Sequence, residues 1–447
     1  MRAPLPDATS DAVASADADL RAALRQRGPM NLAHALEVME RYGLDGLVLG
    51  EPVNVYHLLG YWPQLARTRV GQPPTTFALL TRAAHPVPAL VASRFIYYYT
   101  YADGGYPADR PVYLYREPGD AAIDDFRDDA GIARNADAME FPDLHREPLS
   151  TTETRRRSAL DAATSARRGD VDAGAALVRA MRDLGLWRGR VAYDHPVIAA
   201  VCTRHDRPGE LVPGDNVLRW IRLVKSPLEI MLLRRAAAAN AAAIHELGRY
   251  VRAGATHAEL QQGFAVEAAR RGNQAVFLNV DRVSSELSQE RIVDGQVLFI
   301  DGVSHFAHYH GDYARTVVVG EPAAAARSAT RAVTHAWRAI REQLRPGLRY
   351  SQIVRLGQDA LRKGGFDVAV GFGPHSVGLM HTDEPGDLAG GFHRKLDLEL
   401  RENMVLSVDC PVMNTGIGGS AHIEDLMLIT ANGAEPLHVP GEAVIIA

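Results

Sequence analysis

Apolar and polar positions divide the chain into two stretches with different rhythms. From Leu32 to Tyr42 the apolar residues recur at helical spacing. Gly43 supplies a stop, and Leu44-Asp45-Gly46-Leu47-Val48-Leu49 reads as a strand. Further apolar runs at Thr76–Leu80, Val87–Val91 and Pro111–Tyr115 lie between Gly and Pro turns. A helix is expected over Thr154–Leu184 and a strand over Arg190–Tyr193. This alternation predicts an α/β domain over residues 19–222. Residues 1–18, rich in Ala, Asp, Ser and Pro, read as a loose tail without the apolar core of a signal peptide.

A second domain is expected over residues 223–447. Ser226, Pro227 and Glu229 have the N-cap, N1 and N3 spacing of a capping box, and an Ala-rich helix should run from there to about Val251. Thr256 and Glu259 repeat the pattern ahead of a shorter helix. The plan then recurs: an Ala-rich helix near Pro322–Leu344, the turn Arg345-Pro346-Gly347, and a helix from Ser351 to Lys363 closed by Gly364. Each pair of helices is associated with apolar strands that carry carboxylates. Val297–Asp301 resembles Val405–Asp409, each expected to end at its aspartate, and the strands that follow open near Asp312 and Glu424. The fold class is therefore an α/β N-terminal domain plus an α+β catalytic domain with an internal pseudo-two-fold duplication.

Composition narrows the function. The 447 residues carry a formal net charge of −5, so no basic footprint points to nucleic acid. No run of about 18 apolar residues suggests a membrane span. Two distant cysteines, Cys202 and Cys410, exclude a disulfide framework and point to a reducing, cytoplasmic location. What remains is Asp301, Asp312, His375, Asp409 and Glu424, four carboxylates and an imidazole on strands of a duplicated unit. Carboxylates buried together are costly without cations to neutralise them. Hard oxygens plus one imidazole suit Mn, Co, Zn or Fe, and two divalent ions on a bridging carboxylate would activate a water for hydrolysis.

The series resembles the pita-bread metallohydrolases, which include aminopeptidase P, prolidase, methionine aminopeptidase and the metal-free creatinase. Two aspartates 11 residues apart, then His375, Asp409 and Glu424, match the family's ligand order. Gly311-Asp312-Tyr313-Ala314-Arg315-Thr316 is similar to its Asp-x-x-Arg-Thr signature. Lys225–Ile230 resembles the opening of its catalytic domain, and Asn54–Tyr61 a motif of the creatinase-type N-terminal domain. The resemblance implies an Xaa-Pro dipeptidase or aminopeptidase, with two divalent ions (manganese first), a short-peptide substrate and a homodimer. It also implies that Asp312 and Glu424 bridge the ions, that Asp301 serves one ion and His375 with Asp409 the other, and that Glu424 is the catalytic base.

Several positions depart from the peptidases. Asp409 stands in place of glutamate, and His422 in place of arginine. The family's first substrate histidine falls at Ser284 and its second at Thr382, with His381 one residue early. His381 is accordingly a candidate catalytic residue, and His308, His310 and His422 are candidate substrate ligands. Strand alternation places His308 and His310 on Asp312's face and turns His305 away. These gaps leave a second reading open: a non-peptide C–N or amide hydrolase, or a lyase on the same scaffold. The dimethylsulfoniopropionate lyases of this structural family carry an extra acid beside the first aspartate, where this chain has Gly302 and Val303. A metal-free binding protein is the third.

Overall fold

The computed structural model describes residues 11–63, 71–102, 106–116, 147–167, 169–388, 392–439 and 441–447. The chain divides into two compact units, one of Asp17–Ile221 and one built on Arg222–Ala447. Residues 1–10 of the expected tail lie outside the described residues; from Asp11 to Arg27 the chain is helical (α1).

The first unit is a six-stranded mixed sheet in the order β4-β3-β2-β1-β5-β6. Its strands are β1 (Gly46–Leu49), β2 (Phe77–Thr81), β3 (Ala89–Ser93), β4 (Val112–Tyr115), β5 (Val191–Tyr193) and β6 (Leu211–Pro213). All four residues of β1 and of β4, and all five of β3, are buried. That is why they read as unbroken apolar runs and not as alternating ones. Helices α2 (Leu32–Arg41) and α3 (Pro52–Leu59) flank β1 in sequence. The single helix expected over 154–184 is two, α4 (Thr151–Ala166) and α5 (Ala173–Asp183). Asp172 is the reason for the restart, because its carboxylate accepts from the amide of Ala175 at 2.8 Å and caps α5. Helices α6 (Pro196–Arg204) and α7 (Asp215–Leu223) complete the stretch.

In the second unit both capping boxes form. Ser226 and Glu229 open α8 (Pro227–Gly248), and Thr256 and Glu259 open α9 (His257–Arg270). A four-stranded sheet follows, in the order β18-β9-β8-β7, from β7 (Gln274–Val280), β8 (Val297–Phe306), β9 (Tyr309–Val318) and the C-terminal β18 (Val444–Ile446). The second half repeats the plan with α10 (Ala324–Arg341), α11 (Tyr350–Lys363) and the sheet β10-β13-β16-β17. Its strands are β10 (Gly373–Ser376), β13 (Val405–Asp409), β16 (Leu426–Thr430) and β17 (Gly433–Pro436). Two-residue pairs, β11 (Gly386–Asp387) with β12 (Arg394–Lys395) and β14 (Met413–Asn414) with β15 (Ser420–Ala421), decorate it.

Helix α8 lies directly on the β8–β9 hairpin. A Cβ added at Gly311 would sit 2.7 Å from Asn240 Cβ and 2.8 Å from the Ala236 carbonyl oxygen, so the helix backbone approaches the strand where only glycine fits. Gly311→Ala should therefore cost about 1–3 kcal/mol through overpacking. A thermal melt checks this, and an unchanged midpoint would show that α8 can yield.

Candidate metal centre

Asp301 and Asp312 sit inside their strands, not at the ends, whereas Asp409 closes β13 as expected. Strand β8 continues past Asp301 to Phe306, and β9 begins three residues before Asp312. This corrects the expected boundaries: the hairpin is two ten-residue strands, and its register pairs Val303 with Asp312 and Asp301 with Ala314. Opposed residues of an antiparallel pair share a face, so Asp301 and Asp312 project to the same side. In the other sheet His375 lies opposite Ser407, and Gly373 opposite Asp409. The two halves are stitched at Glu424. Its amide and carbonyl exchange hydrogen bonds with Ala314 at 3.1 and 3.2 Å, which places the glutamate side chain beside the aspartates.

Three overlapping groups of ligand atoms result: Asp301, Asp312 and Glu424; His375, Asp409 and Glu424; and Asp312, His375 and His381. Within each group the atoms lie within 4.8 Å of one another. His375 Nε2 is 3.4 Å from Glu424, 3.6 Å from Asp312 and 3.8 Å from Asp409. Asp312, Glu424 and His375 are buried, whereas the Asp409 side chain is 50% exposed. Among the described residues neither carboxylate oxygen of Asp312 has a hydrogen-bond partner, and the same holds for Oδ1 of Asp301 and both ring nitrogens of His375. Buried polar atoms in native proteins are ordinarily satisfied. Orphaned polar atoms converging from three side chains are what divalent cations would satisfy, so the residues present fit a metal pair.

The electrostatics agree. Burial first, and then the Glu424 charge, pushes Asp301 up to about 7 and drives Asp312 well above the usual carboxylate range. Without a cation the cluster avoids holding all its charges by keeping protons. Glu424 behaves oppositely. Burial opposes its ionisation, but His375 and His422 outweigh that and hold it well below the ordinary value. Ser407 donates to Glu424 Oε1 at 2.6 Å. His422 is buried, which alone would lower it; its contact with Glu424 raises it to about 9, so it is a cation beside the acids. Its Nε2 is 3.7 Å from Glu424 and 3.8 Å from Asp409, while Nδ1 donates to the Cys410 carbonyl.

The loop after β10 is closed on itself. Asp383 accepts from Arg222 Nε at 2.8 Å and from the Leu379 amide at 3.2 Å, and its own amide donates to Ser376. Glu384 accepts from Ser376 N at 3.1 Å and from the Tyr350 hydroxyl at 2.9 Å. This brings His381 Nε2 to 3.3 Å from Asp312. The hairpin tip docks on the same loop, where His310 donates its amide to the Gly378 carbonyl at 3.0 Å.

The histidine assignment by alternation is corrected here. Ala307 and His308 form the two-residue turn, both with positive φ (46° and 67°), as the right-handed twist of the hairpin demands. Alternation does not cross a turn. His305 pairs with His310 and so shares the face of Asp312, and its ring stacks on His308 at 5.4 Å. His308, in the turn, joins none of the ligand groups, and neither does His310. Burial first, then His305, pushes the His310 imidazole down to about 4. Sequence reading missed the supporting residues. Asn279 donates to Asp301 at 3.0 Å, and Arg315 donates to the Glu424 carbonyl at 2.9 Å and to Asp425 at 2.6 Å. Trp337 donates to the other oxygen of Asp425 at 2.8 Å. Only Arg315, in the Asp-x-x-Arg-Thr segment, carried a local signal.

Residues 231–431 match the profile of metallopeptidase family M24. The chain is 27% identical over 245 residues to a probable dipeptidase PepE of Mycobacterium tuberculosis, covering 53% of this chain and 64% of that protein. It is 26% identical over 232 residues to an Xaa-Pro dipeptidase of Pyrococcus furiosus, covering 50% and 65%. The match thus spans just under two thirds of the length of these curated relatives. Among solved structures, an Xaa-Pro dipeptidase from Bacillus anthracis superposes with a TM-score of 0.63 at 17% identity, over 93% of this chain and 98% of that one. A prolidase from Pyrococcus horikoshii gives 0.60 at 18%, over 92% and 98%. At such identities the structural likeness concerns the fold. The profile match covers residues 231–431, the part of the second unit that holds the whole ligand set, and that stretch is similar to metallopeptidase family M24.

Proposed function

We propose that this protein is a metal-dependent hydrolase of the Xaa-Pro dipeptidase or aminopeptidase type that acts on short peptides with two divalent ions. The observation that carries it is the sharing of Asp312, His375 and Glu424 among three overlapping ligand groups. Asp312 and Glu424 would hold both ions, Asp301 one, and His375 with Asp409 the other, with manganese the proposed metal and cobalt, zinc or iron the alternatives. Such a pair supplies Lewis-acid polarisation of a carbonyl and eases deprotonation of water. Glu424, ionised and steadied by Ser407, takes the proton of the attacking water. The His422 cation offsets the negative charge that builds as the tetrahedral centre forms. His310, held neutral by burial, His308 and His422 are the proposed substrate ligands, and His381 the further catalytic residue. Residues 19–222 form the creatinase-type N-terminal domain and 223–447 the catalytic domain in this reading, within a cytoplasmic homodimer. No described helix is long and apolar enough to cross a membrane.

The test is chelator-stripped protein assayed on Xaa-Pro dipeptides and tripeptides, with and without added Mn²⁺. Stripping should lower turnover by more than about 100-fold, as loss of the principal electrostatic group does elsewhere, and Mn²⁺ should restore it. Undiminished cleavage without metal would overturn the reading. One observation keeps a second reading in view: the two family histidine positions hold Ser284 and Thr382. Tight metal binding with no cleavage of any Xaa-Pro peptide would favour a non-peptide C–N or amide hydrolase, or a lyase.

A further inference from the structure

We infer that His381 is itself a metal ligand, a second imidazole on the His375-side ion that makes up for the short reach of Asp409. The inference rests on the metallohydrolase reading above. Two ligands each about 2.1 Å from one ion, at tetrahedral to octahedral angles, lie about 3.0–3.4 Å apart. His381 Nε2 and Asp312 Oδ2 are separated by 3.3 Å, and His375 Nε2 and Glu424 Oε1 by 3.4 Å. His375 Nε2 lies farther from Asp312, at 3.6 Å, and farthest from Asp409, at 3.8 Å, and of these only Asp409 has half its side chain exposed. It is one methylene shorter than glutamate. The three side chains Asp312, His375 and His381 make a ligand group without it.

The orientation of His381 supports coordination. Its Nδ1 faces the Thr382 hydroxyl at 3.3 Å, so that nitrogen can carry the proton and leave the Nε2 lone pair directed at Asp312. Phe277 of β7 packs edge-on against the ring at 5.4 Å, and the His375 ring lies 4.9 Å away on the metal side. The loop closed by Asp383 and Glu384 fixes the approach. The one-residue displacement of the histidine and the Glu-to-Asp shortening are then two halves of one rearrangement. The consequence is an asymmetric pair: an oxygen-rich site at Asp301 that suits manganese, and a nitrogen-richer one that favours cobalt or zinc.

Cobalt-loaded full-length protein tests this. We expect two Co²⁺ per chain in the wild type, and X-ray absorption should count two imidazoles per metal pair. His381→Ala should retain one ion and weaken the other by more than about 100-fold, with an altered d–d absorption band. Thr382→Val should weaken it by about tenfold, the scale of a lost outer hydrogen bond. Adding Asp409→Glu to His381→Ala should recover the second ion. An unchanged affinity and spectrum in folded His381→Ala, or a single imidazole per pair in the wild type, would overturn the assignment while leaving the hydrolase reading intact. Wild type that binds no Co²⁺ would overturn both.

Discussion

Asp312→Ala should abolish binding of both divalent ions and lower peptidase turnover by more than about 10³-fold, the upper range for a single electrostatic group, because this carboxylate belongs to two of the three ligand groups. Metal analysis after dialysis and a kinetic assay with excess Mn²⁺ would check it. The more discriminating result concerns stability. In metal-free protein Asp312 is a buried acid whose two oxygens have no hydrogen-bond partner among the described residues. Removing an uncompensated polar group of that kind relieves a desolvation cost. The apo variant should therefore melt no lower than apo wild type. The wild type alone should gain stability on adding metal, by about 2.7 kcal/mol at a hundredfold excess over the dissociation constant. Equal metal-induced shifts in the two proteins would remove Asp312 from the centre.

Asp425→Ala should strongly destabilise the second unit. Arg315 is buried between Tyr313, whose ring centroid is 3.7 Å from the guanidinium carbon, and Asp425. Loss of the carboxylate strands that guanidinium and the Trp337 indole N–H together, at a cost of about 3–5 kcal/mol. The melting midpoint should fall by roughly 10 °C for a unit of this size. Because Arg315 also holds the Glu424 carbonyl, metal affinity should weaken as well. A same-sized apolar pair, Arg315→Met with Asp425→Leu, should recover much of the stability but not the metal affinity. The pH dependence has a defined sign. Burial works against ionisation of Asp425, but Arg315 and His438 outweigh it and depress the folded value. Its contribution is then complete above the unfolded value of about 3.9 and is lost as pH falls below it. The gap between wild type and Asp425→Ala should close on acidification; a gap that widens would refute the pairing.

How much was legible in the sequence varies with the range of the interaction. The capping boxes at Ser226 and Thr256 could be read because an N-cap and its partner lie three residues apart, and both form as read. The continuous apolar runs of β1, β3 and β4 are equally local. The break between α4 and α5 was missed because Asp172 is a cap only if Ala175 turns back toward it. The strand boundaries at Asp301 and Asp312 were missed for a related reason: glycine and histidine beyond Asp301 read as loop, yet pairing with β9 and β7 keeps them in the sheet.

The five acidic and imidazole ligand candidates, the order of the elements and the duplicated plan were determined by the chain alone, because residue type and spacing along one strand or helix turn carry that information. The tertiary structure decided which of those side chains meet. It paired His305 with His310 across a turn, joined Glu424 to Ala314 from the other half, set Arg315 on Asp425 110 residues away, and delivered His381 to Asp312. Each of these depends on register and loop closure between distant segments, and no local propensity encodes a distance across space.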